Sequence, residues 1–328
     1  MMKILVTGGL GFIGSNFIRH MSEEAGAFEF VVIDALKYGS NEGNLKDLEY
    51  KFVKGDICDY ELMSKLVKNT DAIVNFAAET HVDRSISSPY SFIESNVLGT
   101  YTILEAMRNV NLDVKLVHVS TDEVYGDIEK GSFKEGDGLK PSSPYSASKA
   151  SADMFVLAYV RTYGLNAAIT RCTNNYGGYQ SPEKLIPKTI IRAKLDMKVP
   201  IYGTGKNVRD WIYVRDHCDA IRLVLDGGEK GEIYNIASGA ERDNLAVVTE
   251  ISDIMGKTDL IEFVEDRPGH DIRYSLDSSK IGRLGFQPKY GFKGGLKETV
   301  NWYLENEWWW KPLADEKILH PTPWKLEW

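Results

Sequence analysis

Two short stretches hold residues whose types and spacing could do chemistry. In Tyr145-Ser-Ala-Ser-Lys149 a phenol and an ammonium stand four residues apart, which on a helix puts both on one face. A cation near a phenol favours the phenolate, and a phenolate can take the proton of an alcohol whose carbon is giving up hydride. Tyr145 then reads as a base and Lys149 as its tuner. The other stretch, Val119-Ser-Thr-Asp-Glu-Val-Tyr-Gly126, adds Asp122 and Glu123 side by side. A plain dehydrogenase needs neither carboxyl, whereas loss of water from a sugar needs an acid and a base. Each stretch also has a bland reading. Tyr-x-x-x-Lys arises by chance on solvated helix faces, and Asp-Glu after a strand is commonly an exposed turn or a helix N-terminal charge pair. The elements that must position them decide between the readings.

The apolar run Lys3 to Thr7 has the character of a buried parallel strand. It leads into Gly8, Gly11 and Gly14, a G-x-x-G-x-x-G variant of the dinucleotide fingerprint, and a helical pattern follows from Ser15 to Met21. Strand before and helix after give the motif its force: a tight turn, a close backbone and a helix N-terminus suit a pyrophosphate. A second strand, Glu29 to Ile33, ends in Asp34, twenty residues beyond Gly14. A carboxylate there suits the adenosine ribose hydroxyls and repels a 2′-phosphate, so NAD is favoured over NADP. Lys51 to Lys54 and Asp71 to Phe76 read as the third and fourth strands, with Asp56 and Ile57 after one and the small Ala77 and Ala78 after the other. The fifth, Val114 to Val119, delivers Thr121, Asp122 and Glu123 at its carboxyl end, where open α/β sheets bind ligands. Pro89 to Asn109 reads as one long helix interrupted only by Gly99, and a second long helix runs from Tyr145 to about Tyr163. Alternation of strands and helices predicts a doubly wound parallel α/β sheet. Residues 1–175 are expected to form the dinucleotide-binding domain and 176–328 mainly a smaller mixed α/β lobe over the substrate, with some segments returning to the sheet.

Composition narrows the classes. The chain has 328 residues, 43% hydrophobic and 26% charged, as ordinary globular proteins do. A formal charge of −8 without a basic block argues against nucleic acid as a partner. Cys58, Cys172 and Cys218 are odd in number and lack metal-ligand spacing, so free thiols and no metal are expected. With no membrane-length apolar run and a strand starting within two residues, a cytoplasmic protein is expected, with no membrane partner.

Taken together, these motifs resemble the extended short-chain dehydrogenase/reductase family and, within it, the sugar-nucleotide 4,6-dehydratases. The stretches that carry the likeness span nearly the whole chain: Thr7 to Gly14, Ala77 to Ile86, Ser120 to Gly126, Tyr145 to Lys149, Arg171 to Gly177, Pro182 to Pro187, Asn207 to Trp211 and Asp266 to Asp271. Thr-Asp-Glu discriminates, because related 4-epimerases usually carry serine and small residues there.

The resemblance implies a hydro-lyase of deoxysugar biosynthesis, of which dTDP-rhamnose synthesis is one example, that acts on glucose linked to dTDP and retains and regenerates NAD within its cycle. It implies NAD contacts from Gly8, Gly11, Phe12, Ile13, Gly14, Asp34, Leu36, Lys37, Asp56, Ile57, Ala77, Ala78, Glu79, Ser95, Tyr145, Lys149 and Asn175. It implies substrate contacts from His81, Thr121, Asn174, Lys184, Leu185, Pro200, Tyr202, Arg209, Asn244, Arg267 and His270, with Lys184, Arg209 and Arg267 apt for a diphosphate. Thr121 would orient the sugar 4-hydroxyl that Tyr145 deprotonates, Glu123 would remove the C5 proton, and Asp122, with its pKa raised by burial beside another carboxylate, would protonate the departing 6-hydroxyl. A homodimer through a four-helix contact is expected. Gly178, Ser181 and the loop Tyr38-Gly-Ser-Asn41 depart from the family pattern, which touches substrate-loop rigidity and the adenosine edge and leaves the reaction type intact. The tryptophans of the tail, from Trp308 to Trp328, read as a packed segment. Rival readings are a UDP-sugar 4-epimerase, a UDP-glucuronate decarboxylase, a dehydratase of UDP- or GDP-linked sugars, and a catalytically silent NAD-binding module.

Overall fold

The computed structural model describes residues 1–266 and 271–326. Its strands are β1 (Met2–Thr7), β2 (Phe28–Asp34), β3 (Lys51–Lys54), β4 (Ala72–Asn75), β5 (Lys115–Thr121), β6 (Ala167–Cys172), β7 (Asn174–Tyr176), β8 (Val199–Tyr202), β9 (Val208–Tyr213), β10 (Ile233–Ile236), β11 (Glu241–Asp243) and β12 (Ile261–Val264). Seven of them form one parallel sheet in the order β10-β6-β5-β4-β1-β2-β3. Strand order reverses beside β1, so β1 and β4 part at a switch point where a crevice opens. Register brings the chemistry to one rim: Thr7 pairs with Ile33 and Asn75, and Thr121 pairs with Cys172.

The sheet forms because its central strands are apolar on both faces. Ile4 and Val6 pack with Phe17, Ile18 and Ile221 from helices Phe12–Ser22 and Val214–Gly227, while Leu5 and Ile73 pack with Ile103, Met107 and Val156 from helices Gly99–Val110 and Pro144–Tyr163. Burying each such side chain stabilises the fold by roughly 1.5–3 kcal/mol. That sandwich fixes the rim to which the functional side chains are attached.

Two elements differ from the sequence reading. The fifth strand runs through Thr121 rather than stopping at Val119, so Ser120 and Thr121 stay in the ladder and Asp122 opens a 3₁₀ turn. The expected single helix over 89–109 is broken into a short α segment, a π stretch Ile93–Leu98 and an α-helix beginning at Gly99. The wide turn seats Asn96, whose amide oxygen accepts from the Glu79 N–H at 2.8 Å and whose nitrogen donates to the Glu79 carbonyl at 3.0 Å and to Ser148 Oγ at 2.8 Å. π turns recur at functional sites, and this one holds the Ala77–Glu79 segment in place.

Beyond β6 the chain builds a second layer. Strands β11, β9 and β7 form a small sheet, β12 pairs with β8, and helices Leu185–Lys194, Asn244–Met255 and Phe292–Glu305 cover them. Its core is aromatic, with Tyr176, Trp211, Tyr213, Phe292, Tyr303, Trp309 and Trp310 together. Trp309 donates to Asn44 Oδ1 at 2.6 Å, tying the tail to the first half. Trp308 is exposed, Trp324 packs edge-on against Tyr202, and Trp328 lies outside the described residues. Helix Val214–Gly227 and strand β10 return to the large sheet.

Candidate active site

The crevice at the switch point has two ends of different character. At one, Gly8 follows β1 with φ +65°, a backbone conformation that side chains resist. A Cβ added there would stand 2.7 Å from the Ala77 backbone, and one at Gly14 would stand 2.6 Å from the Gly8 carbonyl oxygen. Helix Phe12–Ser22 starts at Gly11 with no side-chain cap and no acidic residue in its first turn. Its first N–H groups are therefore unclaimed by a side chain and the positive end of its dipole is unopposed, which suits a pyrophosphate. On observed geometry this cradle fits a dinucleotide. Asp34 lines the crevice, but its carboxylate is also structural: Oδ2 accepts from the Leu10 N–H at 3.1 Å, and Oδ1 from the Leu36 N–H at 2.9 Å and Ser40 Oγ at 2.7 Å. The ribose-site reading and the turn-cap reading of Asp34 are therefore compatible. Lys37 and Asp56, both expected at the cofactor, form an ion pair at 2.7 Å on the wall of this end.

At the other end lie the candidate catalytic groups. Helix Pro144–Tyr163 begins at Ser143, which forms a reciprocal capping box with Ser146, has Pro144 at its first position and ends at Gly164 in the left-handed region. Those local signals put Tyr145 in the first turn and Lys149 one turn later, both buried. Phe92 meets the Tyr145 ring edge-on at 6.2 Å between centroids. Lys149 Nζ donates to the Val119 carbonyl at 2.8 Å, and burial brings its pKa down to about 8.

The tuning of Tyr145 differs from the sequence expectation. Burial above all, then the Glu123 carboxylate, push the phenol well above its ordinary value, while a hydrogen bond with Thr121 acts to lower it. Desolvation outweighs the nearby ammonium because it penalises the phenolate directly.

Asp122 behaves as the sequence reading required. It is 3% exposed, and burial followed by the Glu123 charge raises its carboxyl to about 8. Thr121 Oγ1 donates to Oδ1 at 3.1 Å, while Oδ2 is buried without a hydrogen-bond partner among the described residues. A protonated carboxyl with one oxygen left over has a proton to offer. Thr121 also caps the 3₁₀ turn by accepting from the Glu123 N–H at 3.3 Å, which fixes the angle between the two carboxyls.

The expected cofactor residues gather on the crevice wall: Gly8, Gly11, Phe12, Ile13, Gly14, Asp34, Lys37, Asp56, Ile57, Ala77, Ala78, Glu79, Ser95, Tyr145, Lys149 and Asn175 all line it. Leu36 does not. It sits at φ 55° and packs against the core, so its part is to turn the chain after Asp34. Of the expected substrate residues, Thr121, Asn174 and Lys184 line the crevice, while His81, Leu185, Pro200, Tyr202, Arg209 and Asn244 are not among its lining residues. Arg209 is buried and donates to the carbonyls of Val208, Asp271 and Ile272, while its guanidinium stacks over Tyr274 at 4.4 Å. Its fork is thus engaged with protein, close enough to lower the Asp122 pKa. Arg267 and His270 lie outside the described residues.

Several residues at the site were missed. Glu183, adjacent to Lys184, lines the crevice and meets the Tyr38 hydroxyl across it, with His81 Nε2 at 3.7 Å. Its place in Pro182-Glu-Lys was a usable signal. His217 holds Asn175 Oδ1 at 2.9 Å and is kept neutral by burial, its pKa down to about 3. Nothing in its surroundings in sequence announces that contact.

A doubly wound parallel sheet with a glycine cradle at its switch point and a buried Tyr-Lys pair beyond β5 defines an extended short-chain dehydrogenase/reductase. The chain belongs to the GDP-mannose 4,6-dehydratase family, whose model matches residues 5–299. It is 49% identical to the dTDP-glucose 4,6-dehydratase of Streptomyces niveus, over 95% of this chain and 96% of that protein. It superposes on the crystal structure of DesIV, a dTDP-glucose 4,6-dehydratase from Streptomyces venezuelae with NAD and TYD bound, with TM-score 0.92 at 48% identity, covering 95% of this chain and all of the other. The UDP-glucose 4-epimerase of Thermus thermophilus, in complex with NAD, shares the fold at TM-score 0.87 but only 30% identity, covering 93% of this chain and all of the other.

Proposed function

We propose that this protein is an NAD-dependent dTDP-glucose 4,6-dehydratase that converts its substrate to dTDP-4-dehydro-6-deoxy-D-glucose and water. The observation that carries the reading is Asp122, a buried acid raised to about 8 with one oxygen unpartnered, placed between Thr121 and Glu123 on the wall that also presents Tyr145. A 4-epimerase has no use for that proton. NAD, when bound in the glycine cradle, supplies the acceptor for hydride from C4 and later the donor to C6. Tyr145 takes the proton of the 4-hydroxyl, with Thr121 orienting that hydroxyl and Lys149 adding positive charge. The C5 hydrogen, acidified by the new ketone, passes to Glu123, and Asp122 gives its proton to the 6-oxygen so that water departs. Asp122 holds its proton at neutral pH, which leaves Glu123 to serve as the base.

Two further parts of the reading concern the whole molecule. Ile86, Tyr90, Ile93, Leu98 and Tyr101 from the 82–110 segment and Met154, Phe155 and Tyr163 from helix Pro144–Tyr163 are exposed apolar side chains. Apolar surface on two adjacent long elements supports a homodimer through four helices. The cysteines are free, with Cys172 and Cys218 buried, which supports a reducing cytoplasmic setting.

Incubation with dTDP-glucose and with UDP-glucose separately tests the reading. A base-labile 4-keto product from the dTDP sugar is expected. A C4-epimerised hexose without a 4-keto sugar would assign the chain to the epimerases, and a product from UDP-glucose alone would change the nucleotide.

A further inference from the structure

We infer that Asp153 is a positioning residue for the reaction, acting through Lys149: its buried carboxylate, one turn along the same helix face, keeps the lysine's ammonium charged. The inference rests on the role given above to Lys149 and adds a residue that the fingerprint motifs do not contain. Tyr145, Lys149 and Asp153 follow one another at four-residue steps on helix Pro144–Tyr163, so they share the face that meets β5 and β6. Both Lys149 and Arg171 bring a positive charge into this layer, where they are 4% and 1% exposed. A buried ammonium is costly unless a counter-charge stands near it, and the hydrogen-bond acceptor seen for Lys149 is the neutral carbonyl of Val119.

Asp153, one turn further along the same helix face, can supply that charge, and Arg171 engages only one of its oxygens. An arginine paired only with a carboxylate tends to bind it through two parallel bonds. Here Arg171 gives Asp153 Oδ2 only its Nε, at 2.9 Å, and turns Nη1 to the Tyr125 hydroxyl at 2.7 Å, which itself donates to Asn235 Oδ1. Burial raises the Asp153 carboxyl above its usual range, while Arg171, Lys149 and the Ser120 hydroxyl act to lower it, and Oδ1 lies 3.7 Å from His118 Nε2. The ionisable groups around Lys149 are Tyr145 and Asp153 on its own helix, His118, Asp122 and Glu123 from β5 and its turn, and Arg171 and Cys172 from β6. His118 is held far below its usual pKa by burial and by the two cations, so it stays neutral and adds no charge. Burial raises the Cys172 thiol to about 12, so it adds none either. Asp122 keeps its proton at neutral pH. Among these groups Asp153 is the carboxylate that raises the Lys149 pKa.

The test is the titration midpoint of Lys149 in the full-length enzyme, followed by NMR of isotope-labelled lysine side chains and assigned by the signal lost in Lys149→Met. Asp153→Asn is expected to lower the midpoint by about one pH unit, as loss of a nearby opposite charge does, and Asp153→Glu to restore it. A second readout uses dTDP-6-deoxyglucose, which has the 4-hydroxyl and nothing to eliminate, so reduction of the nicotinamide depends on Tyr145 and Lys149 and not on Asp122. The alkaline limb of that reaction should move down with the midpoint in Asp153→Asn. An unmoved midpoint with a uniform loss of rate at every pH would overturn the inference and leave Asp153 a packing residue. If Asp153→Asn yields no soluble protein, Asp153→Ser is judged by the same two outcomes. Failure of the wild type to reduce nicotinamide with the analogue would count against the proposed function instead, since the lysine midpoint is read without turnover.

Discussion

The two ends of the crevice recognise their charges by opposite means. At the glycine cradle the ligand charge meets unclaimed backbone N–H groups at the start of helix Phe12–Ser22. No side chain has to be ionised in an unusual state there, and none has to change state during turnover. At the Thr121–Glu123 end the work falls to buried side chains whose proton affinities are far from ordinary, with Asp122 raised to about 8 and Lys149 lowered to about 8. Binding by backbone shape tolerates any pH that keeps the fold. Chemistry by displaced pKa values gains reactivity and gives up stability and pH range for it.

The contrast is broken most severely at Tyr145. Tyr145→Phe keeps the ring contact with Phe92 and removes the only proposed acceptor for the 4-hydroxyl proton, so nicotinamide reduction in a single turnover should fall about 10³-fold or more. Binding of the dinucleotide, measured by calorimetry, should change little. Asp122→Asn comes next. Elimination should slow by about 10²–10³-fold while oxidation at C4 persists, so reduced nicotinamide and the 4-ketone should accumulate together. Loss of oxidation in step with elimination would remove Asp122 from the acid role and merge the two carboxyls into one electrostatic unit.

The cradle is probed by Gly8→Ala. The new Cβ meets the Ala77 backbone at 2.7 Å in a φ +65° conformation, and strain of this kind costs about 1–3 kcal/mol. Dinucleotide affinity should drop roughly tenfold, and the rate at saturating cofactor should hold near the wild-type value. A fall in rate with affinity preserved would mean that the glycine turn shapes the chemistry as well as the binding.

What could be read from sequence divides along the same line. Glycine spacing and apolar strands report backbone geometry directly, so Gly8, Gly11, Gly14 and Asp34 could be placed on one rim without coordinates. Thr121, Asp122 and Glu123 were legible as chemistry because an adjacent acid pair after a strand is chemically pointed. Their proton affinities were half legible. Burial beside a neighbour suffices to raise Asp122, and the same burial dominates at Tyr145 and raises it too, which its spacing from Lys149 gave no sign of. The balance between desolvation and a nearby charge depends on how much water each group loses, which sequence does not encode. Long-range pairings were also out of reach. Glu183 meets Tyr38 from the far half of the chain, and His217 steadies Asn175 from a separate helix. The π turn at Ile93–Leu98 escaped because a helical pattern looks the same whether one turn is widened or not.

The smallest effect is the most specific to the acid end, and it concerns stability. An aspartate carboxyl ordinarily titrates at 3.8, and that of Asp122 stands near 8 in the fold. Below the ordinary value both states carry the proton and the residue contributes nothing to pH dependence. Between the two values the unfolded chain has lost its proton while the folded chain keeps it, so folding must take one up. That requirement grows by about 1.4 kcal/mol for each pH unit and levels off above the folded-state value. Asn at this site takes up no proton. Asp122→Asn should therefore unfold at a higher temperature than the wild type at about pH 7–8, by a few degrees, with the advantage shrinking steadily toward about pH 5. Asp153 and Asp210 are displaced in the same direction by burial, but they are common to both proteins and cancel in the difference. A thermal shift that is the same at both ends of that pH range would show that the amide merely packs better, and the buried proton at Asp122 would lose its support.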